Sequence, residues 1–276
     1  MFTHLHVHSE YSLLDAMCHI PNLVARAKEL GMNALALTDH GVMHGAIQFY
    51  KEAKDAGIKP IIGCEAYIAS GSRLSHTPAD KQSYHLVLLA KNNKGYQNLI
   101  QLITKANLEG FYYRPRMDKE ILEQHHEGLI ALTACLAGEI PRLISQGRME
   151  DAKEAASWYS QTFGKDNFYL ELQRHPIPEL EPVNQGLIKI SEELDIPLVA
   201  TNDVHYILKE EAKYQDLLMC IGTNTTVLDE KRKKMADDGF YLKSPDEMAD
   251  MFKDIPQAIE NTAKIADMCD LELEFG

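Results

Sequence analysis

The chain has 276 residues, of which 45% are hydrophobic, and its 28 Lys and Arg are outnumbered by 41 Asp and Glu. This composition suits one large domain with a sizeable core, and no apolar run approaches the roughly 20 residues of a membrane span. The net charge of −13 argues against a free-standing DNA-binding protein, which would need basic side chains to neutralise phosphates. Bound divalent cations, or a basic surface on a larger polypeptide, would remove that objection.

The cysteines and the N-terminus indicate a cytoplasmic protein. The five cysteines form no CxxC pair, and their odd number argues for reduced thiols rather than a disulfide framework. The N-terminus lacks the basic region, apolar stretch and small-residue cleavage site of a secretion signal, so we expect no export.

Apolar runs alternate with helical patterns up to residue 201. The predicted strands are residues 2–7, 33–38, 60–69, 84–90, 128–134, 167–172 and 197–201. The predicted helices are one that begins at Pro21 and ends before Gly31, then 46–56, 96–106, 150–163 and 182–194. Repeated β-α units predict a parallel sheet, which is either doubly wound or closed into a barrel.

After His205 the pattern changes to helices without strong strands between them. The predicted helices are 210–221, 245–252 and 257–269, and Ser244 caps the second of them. We therefore predict a barrel core over about 1–206 and a helical extension over about 207–276 that leads toward another domain.

Metal-binding side chains recur at or just beyond the ends of the predicted strands. On the first strand, side-chain alternation directs His6 and His8 to one face. The others lie in Thr38-Asp39-His40-Gly41, Gly63-Cys64-Glu65, Tyr84-His85-Leu86, Thr133-Ala134-Cys135 and Asn202-Asp203-Val204-His205. Side chains from so many strands can meet at the mouth of a barrel, so the pattern favours a barrel with a metal cluster. Imidazole, carboxylate and thiolate ligands together suit zinc, iron or manganese.

The chain resembles the polymerase and histidinol phosphatase (PHP) domain at the N-terminus of bacterial replicative DNA polymerase III alpha subunits. The resemblance runs over essentially the whole chain. Its segments are His4-Leu5-His6-Val7-His8-Ser9-Glu10-Tyr11-Ser12-Leu13-Leu14-Asp15, Thr38-Asp39-His40-Gly41, Lys59-Pro60-Ile61-Ile62-Gly63-Cys64-Glu65-Ala66-Tyr67, Gly95-Tyr96-Gln97-Asn98-Leu99, Leu108-Glu109-Gly110-Phe111-Tyr112, Gly128-Leu129-Ile130-Ala131-Leu132 and Val199-Ala200-Thr201-Asn202-Asp203. It implies an α/β fold that is a distorted seven-stranded (β/α)7 TIM-like barrel holding three divalent metal ions.

Nine metal-ligand positions follow from the resemblance, and this chain has a competent ligand at each. They are His6, His8, Asp15, His40, Glu65, His85, Cys135, Asp203 and His205. The implied sets are His6, His8, Glu65 and Asp203 for one ion, Glu65, His85 and Cys135 for a second, and Asp15, His40 and His205 for a third.

The resemblance implies metal-dependent phosphodiester hydrolysis that removes nucleotides from a DNA 3′ end. This activity is a 3′→5′ proofreading exonuclease within a DNA-directed DNA polymerase, which is a nucleotidyltransferase. Closely spaced metal ions lower the pKa of bound water and neutralise the attacking and leaving oxygens, so no Ser or Cys nucleophile is required. We expect His8, Glu65 and Asp203 to be the catalytic residues, with Glu65 bridging two ions.

Residues beside these positions are expected to have supporting roles. Asp39 and Asn202 could orient ligands through hydrogen bonds, His4 could pack or support the ligands, and Cys64 is expected in the core. The Tyr112–Arg116 segment combines aromatic and basic residues. It could contact a DNA strand by stacking and phosphate pairing, or it could be an ordinary solvated loop.

Two other functions remain open at this stage. One is a stand-alone phosphatase acting on a small phosphomonoester such as histidinol phosphate, although the polymerase-like sequence of residues 95–112 argues against it. The other is a catalytically silent, metal-stabilised scaffold of the polymerase, which could also dock a separate proofreading subunit. The expected partners are therefore a DNA 3′ end and the remainder of the polymerase alpha subunit, without a membrane.

Overall fold

Eight strands, ten α-helices and three short 3-10 helices lie within residues 2–276, the part of the chain that the computed structural model describes. The strands are β1 Ala34–Leu37, β2 Lys59–Ala69, β3 Ser83–Ala90, β4 Phe111–Tyr112, β5 Arg114–Met117, β6 Leu129–Leu132, β7 Phe168–Leu172 and β8 Leu198–Ala200. The helices are α1 Ile20–Glu29, α2 Ala46–Ala56, α3 Asn93–Leu108, α4 Lys119–His125, α5 Glu139–Ser145, α6 Met149–Phe163, α7 Leu180–Leu194, α8 Ala212–Thr223, α9 Pro245–Met251 and α10 Pro256–Met268.

The sheet is mixed rather than purely parallel. Strand β1 pairs with β2 in parallel, and β6, β7 and β8 also pair in parallel. Strand β3 runs antiparallel to both of its neighbours, β2 and β6, so the predicted parallel sheet is wrong at this strand. The physical reason lies between β2 and β3, where residues 70–82 contain one short 3-10 turn, Pro78–Lys81, and no α-helix. Parallel pairing usually requires a crossover connection that contains an α-helix.

The N-terminal segment closes the sheet into a barrel. The predicted first strand is not regular, because Val7 forms only an isolated parallel bridge with Val204. The segment nevertheless hydrogen-bonds on both sides. The Ala36 N–H donates to the His4 carbonyl at 2.9 Å, and the Val204 N–H donates to the His6 carbonyl at 3.1 Å. Six curled strands and this segment therefore form the distorted seven-stranded barrel that was predicted.

The C-terminal helices pack against the barrel instead of standing away from it. Phe252 at the end of α9 is fully buried with Leu170 of β7, and Ile265 of α10 is buried with Val199 of β8. Helices α4 and α5 and the β4–β5 hairpin were not predicted, because each is seven residues or shorter and carries little periodicity. Within residues 2–276, no helix combines the length and apolarity that crossing a bilayer requires, and the five cysteines are free.

Candidate metal centre

The structure brings all nine predicted ligand residues together at one rim of the barrel. His6 and His8 lie on the closing segment, Asp15 follows it, and His40 follows β1. Glu65 lies in the middle of β2, His85 near the start of β3, Cys135 after β6, and Asp203 and His205 after β8. The expectation that the ligands lie at or just beyond strand ends is wrong for Glu65, which is inside β2, and for His85. Because β3 runs backwards, its beginning reaches the same rim as the ends of its parallel neighbours.

Glu65 is the centre of the cluster, and four imidazoles surround its two oxygens. Its Oε1 lies 2.8 Å from His85 Nδ1 and 3.4 Å from His6 Nε2. Its Oε2 lies 2.6 Å from His40 Nδ1 and 3.5 Å from His8 Nε2. Each oxygen faces a different pair of nitrogens, so the carboxylate has the arrangement needed to bridge two cations.

Asp203 and Asp15 connect the remaining histidines. Asp203 Oδ1 lies 3.3 Å from His6 Nε2, 3.2 Å from His8 Nε2 and 3.6 Å from His205 Nδ1. The backbone of Asp203 is left-handed, with φ of 53°, a conformation that aspartate tolerates better than most residues. Asp15 Oδ2 lies 2.7 Å from His40 Nε2 and 3.5 Å from His205 Nε2.

The thiol completes the cluster, and the ligand atoms form compact groups. Cys135 Sγ lies 3.9 Å from both Glu65 Oε1 and His85 Nδ1. Three triads hold one ligand atom from each member within 4.8 Å of the others. They are His8, His40 and His205; His6, His8 and Asp203; and His40, Glu65 and His85. The donor set of nitrogen, oxygen and sulfur is one that zinc, iron and manganese accept.

Unpartnered polar atoms at the centre of the cluster indicate a place for cations. Five buried ligand atoms have no hydrogen-bond partner: His6 Nε2, His8 Nε2, His40 Nδ1, Glu65 Oε2 and Asp203 Oδ1. The 2.6 Å contact between His40 and Glu65 is close, but it lacks hydrogen-bond geometry. An unpaired buried polar atom costs about 1–3 kcal/mol, which coordination would recover. The residues present therefore fit divalent metal ions.

The electrostatics of the cluster are those of a cation site. Burial alone would raise the pKa of Glu65, but the surrounding imidazoles outweigh it and hold that pKa well below its usual range. Burial would lower the pKa of His40, yet Glu65 and Asp15 raise it to about 10. Burial and the neighbouring His40 lower the pKa of His8 to about 3. Burial and the nearby carboxylates raise the pKa of the Cys135 thiol, so a cation held there would have to displace its proton.

The comparison with known protein families is consistent with a metal centre. The sequence model of the PHP domain family matches residues 4–175. The chain belongs to the PHP domain family. The PHP domain described here is 54% identical over 271 residues to DNA polymerase III subunit alpha of Borreliella burgdorferi, covering 98% of this chain and 24% of that protein. It is 49% identical over 274 residues to the same subunit of Treponema pallidum, covering 99% of this chain and 23% of that protein.

The PHP domain spans about a quarter of the length of these curated relatives. Among solved structures, a proposed metal-dependent phosphoesterase of Bifidobacterium adolescentis aligns with a TM-score of 0.49 and 14% identity. That alignment covers 74% of this chain and 87% of the other. A likeness of this size decides neither fold nor function.

Glu171 supports the PHP cluster and was not predicted from the sequence. Its Oε1 lies 2.7 Å from His6 Nδ1 and also accepts hydrogen bonds from Gln173 Nε2, at 3.0 Å, and from Thr201 Oγ1. With Nδ1 held in this way, His6 directs Nε2 at Glu65 and Asp203. The available signal was a single charged residue inside the otherwise apolar strand Phe168–Leu172.

The other neighbouring residues support the cluster less directly than the sequence suggested. Asp39 accepts a hydrogen bond from Ser12 Oγ at 2.7 Å, and that oxygen lies 3.2 Å from His8 Nδ1, so Asp39 orients a ligand through Ser12. The side chain of Asn202 instead donates to the carbonyls of Gly239 and Tyr241. The expectation that Asn202 orients a ligand directly is therefore wrong.

The packing roles expected for His4 and Cys64 agree with the structure. His4 Nε2 lies 2.8 Å from the Lys243 carbonyl, and its ring packs edge-on against Phe2. Cys64 is fully buried in the core.

Proposed function

We propose that this PHP domain belongs to a cytoplasmic bacterial replicative DNA polymerase III alpha subunit and that its cluster hydrolyses phosphodiester bonds at DNA 3′ ends. The domain would thus act as a 3′→5′ proofreading exonuclease, while the rest of the longer protein would be the DNA-directed DNA polymerase. The sequence identity to alpha subunits, 54% and 49% over nearly the whole chain, supports the polymerase assignment. The observation that carries the hydrolytic role is the convergence of the ligand atoms on unpartnered buried positions.

The proposal assigns three divalent ions, of zinc, manganese or iron, to the nine ligand residues. The sets are His6, His8, Glu65 and Asp203; Glu65, His85 and Cys135; and Asp15, His40 and His205. Bound there, the ions would supply Lewis-acid neutralisation of phosphate oxygens and would lower the pKa of a bound water.

The burial of the ligands suggests the side from which a substrate approaches. The His6 and His8 side chains are fully buried, whereas those of Asp15, His40 and His85 are 34%, 15% and 19% exposed. We therefore assign Asp15, His40 and His85 to the open side, where the scissile phosphate would enter. His8, Glu65 and Asp203, our proposed catalytic residues, form the closed wall that fixes the geometry behind it.

The decisive experiment measures shortening of a 5′-labelled DNA oligonucleotide by the purified protein with added Mn²⁺ or Zn²⁺. Wild type is compared with Asp203→Ala and with the control Glu272→Gln, whose exposed carboxylate pairs with Lys54. Stepwise 3′ shortening by wild type and the control, but not by Asp203→Ala, supports the proposal.

Two other results would replace the proposed exonuclease function with a different one. Turnover of a phosphomonoester without DNA cleavage would indicate a phosphatase, although the length of the relatives argues against a stand-alone enzyme. Absence of any turnover, with about three metal ions bound per chain, would indicate a structural cluster that stabilises the polymerase.

A further inference from the structure

The β4–β5 hairpin lies directly on the open side of the metal centre. Strand β5 pairs in parallel with β2, where Arg116 is opposite Tyr67. A Cβ atom at Gly41, the residue after His40, would lie 3.0 Å from Pro115 Cγ, so the hairpin packs on that ligand loop. The Tyr67 ring continues the contact, with its centroid 5.2 Å from the ring of His85.

The base of the hairpin is fixed by Arg116, which is 1% exposed. Its guanidinium donates to four backbone carbonyls: those of Gly110, Asp80, Arg73 and Ser75. The idea that the whole Tyr112–Arg116 segment could contact phosphates is therefore wrong for Arg116. That residue makes the hairpin a rigid support instead.

The tip of the hairpin presents an aromatic ring and a cation. Tyr112 pairs with Arg114, which leaves Tyr113 alone at the turn, with φ of 60° and 62% exposure. Lys81 Nζ lies 5.0 Å from the centre of the Tyr113 ring, and Tyr112 packs edge-on against it. A left-handed backbone costs a residue like tyrosine about 1–2 kcal/mol, so folding alone does not favour it at this position.

Arg114 is a cation that lies beside this entrance. Its guanidinium carbon lies 5.4 Å from the centre of the Tyr67 ring, which itself packs against His40 and His85. Arg114 is exposed and forms no ion pair with any residue between 2 and 276, and its guanidinium contacts only the Tyr67 ring face. Its donors are therefore available for a backbone phosphate of a strand that lies beside this entrance.

We propose that Tyr113 and Arg114 form a docking site for single-stranded DNA, in which Tyr113 stacks on a base and Arg114 pairs with a backbone phosphate. Arginine presents a planar fork of donors to phosphate, and aromatic rings stack on any base. The inference rests on the proposed function, because it requires a DNA strand as the substrate. A small phosphomonoester has no neighbouring base to stack on Tyr113.

Binding of a phosphorothioate oligothymidylate tests the inference without requiring catalysis. We expect Tyr113→Ala to raise Kd about tenfold, whereas Tyr113→Phe should bind like wild type. An abasic strand of the same length should bind Tyr113→Ala and wild type equally. Arg114→Gln should also weaken binding and lower the slope of log K against log salt by about 0.7, the value for one phosphate contact on a single strand.

The controls are Phe275→Ala and Arg148→Gln, exposed residues that pack or pair elsewhere. Wild-type affinity in both Tyr113→Ala and Arg114→Gln, or no binding by wild type, would overturn the inference. Hydrolysis separates it from the proposed function. If the enzyme cleaves DNA, both variants should lose kcat/KM on oligonucleotides but retain it on bis(p-nitrophenyl) phosphate. If neither wild type nor the variants cleave DNA, the differences in DNA-binding affinity between them still decide the role of the hairpin.

Discussion

Glu171→Gln is the most selective perturbation of the metal centre that the structure offers. All three hydrogen bonds to this residue reach Oε1, from His6, Gln173 and Thr201, whereas Oε2 has no partner. Glutamine can keep the three bonds with its carbonyl oxygen and place its amide nitrogen at the unpartnered position. The substitution therefore removes the charge behind His6 while it preserves the local shape.

The magnitude follows from the hydrogen bond that loses its charge. A bond to a charged group contributes about 1.5–3 kcal/mol and a neutral bond about 1 kcal/mol. His6 should therefore hold a metal ion about 0.5–2 kcal/mol more weakly, and a value of about 1.4 kcal/mol within this range corresponds to about a tenfold increase in Kd. Loss of a partner behind a ligating histidine generally weakens metal binding by about 10- to 100-fold, which includes this value. Titration against a chromophoric chelator measures the change, and thermal unfolding reports on the fold.

The matched control is Asp118→Asn, which also neutralises a buried carboxylate. Asp118 caps α4 and pairs with Arg73, and it contacts none of the nine ligand residues. It should lower the thermal stability without changing metal affinity. Unchanged metal affinity in Glu171→Gln, measured with protein that remains folded, would refute the argument that Glu171 polarises His6.

Three further outcomes follow from the structure. Metal binding at pH 7.5 should release protons, because the pKa values of His6, His40, His205 and Cys135 are raised and a protonated ligand excludes the cation. Apparent metal affinity should then rise with pH through about 10, where His40 loses its proton, and calorimetry in buffers of different ionisation enthalpy should give different heats. Arg116→Met should destabilise the protein by about 3 kcal/mol or more in urea unfolding, because four carbonyls lose their donor. Gly95→Ala should lower the free energy of unfolding by about 2 kcal/mol, since its Cβ would lie 1.8 Å from the Gly128 carbonyl oxygen.

The sequence predicts which segments form the strands of the barrel better than it predicts the directions in which those strands run. Long apolar runs such as Lys59–Ala69 identify strands because such strands are buried on both faces. Nothing in the run Ser83–Ala90 distinguishes a parallel strand from an antiparallel one. The decisive feature is that the preceding connection contains no α-helix, which periodicity alone does not reveal. Helices α4 and α5 are too short to produce a clear repeat.

For the candidate site, residue type and spacing identified the ligand residues but not their supports. His6 and His8 stand out because two imidazoles alternate on one segment. Glu171 contacts His6 across 165 positions, and Ser12 connects the nearby His8 to the distant Asp39, so no local pattern marks these supporting roles. The availability of Arg114 and the burial of Arg116 are likewise fixed by tertiary contacts, although the two residues are only two positions apart.

The closing segment also determines when the molecule can become complete during synthesis. Thr3 N–H donates to Thr262 Oγ1 across 259 positions, and His4 contacts the Lys243 carbonyl across 239 positions. A ribosome-bound chain cannot form these contacts until the C-terminal helices have emerged, and closing so long a loop slows folding. His6 and His8 likewise lack Asp203 and His205 until about 200 further residues have been synthesised. Metal uptake should therefore be a late event that marks the finished fold rather than a nucleus around which folding begins.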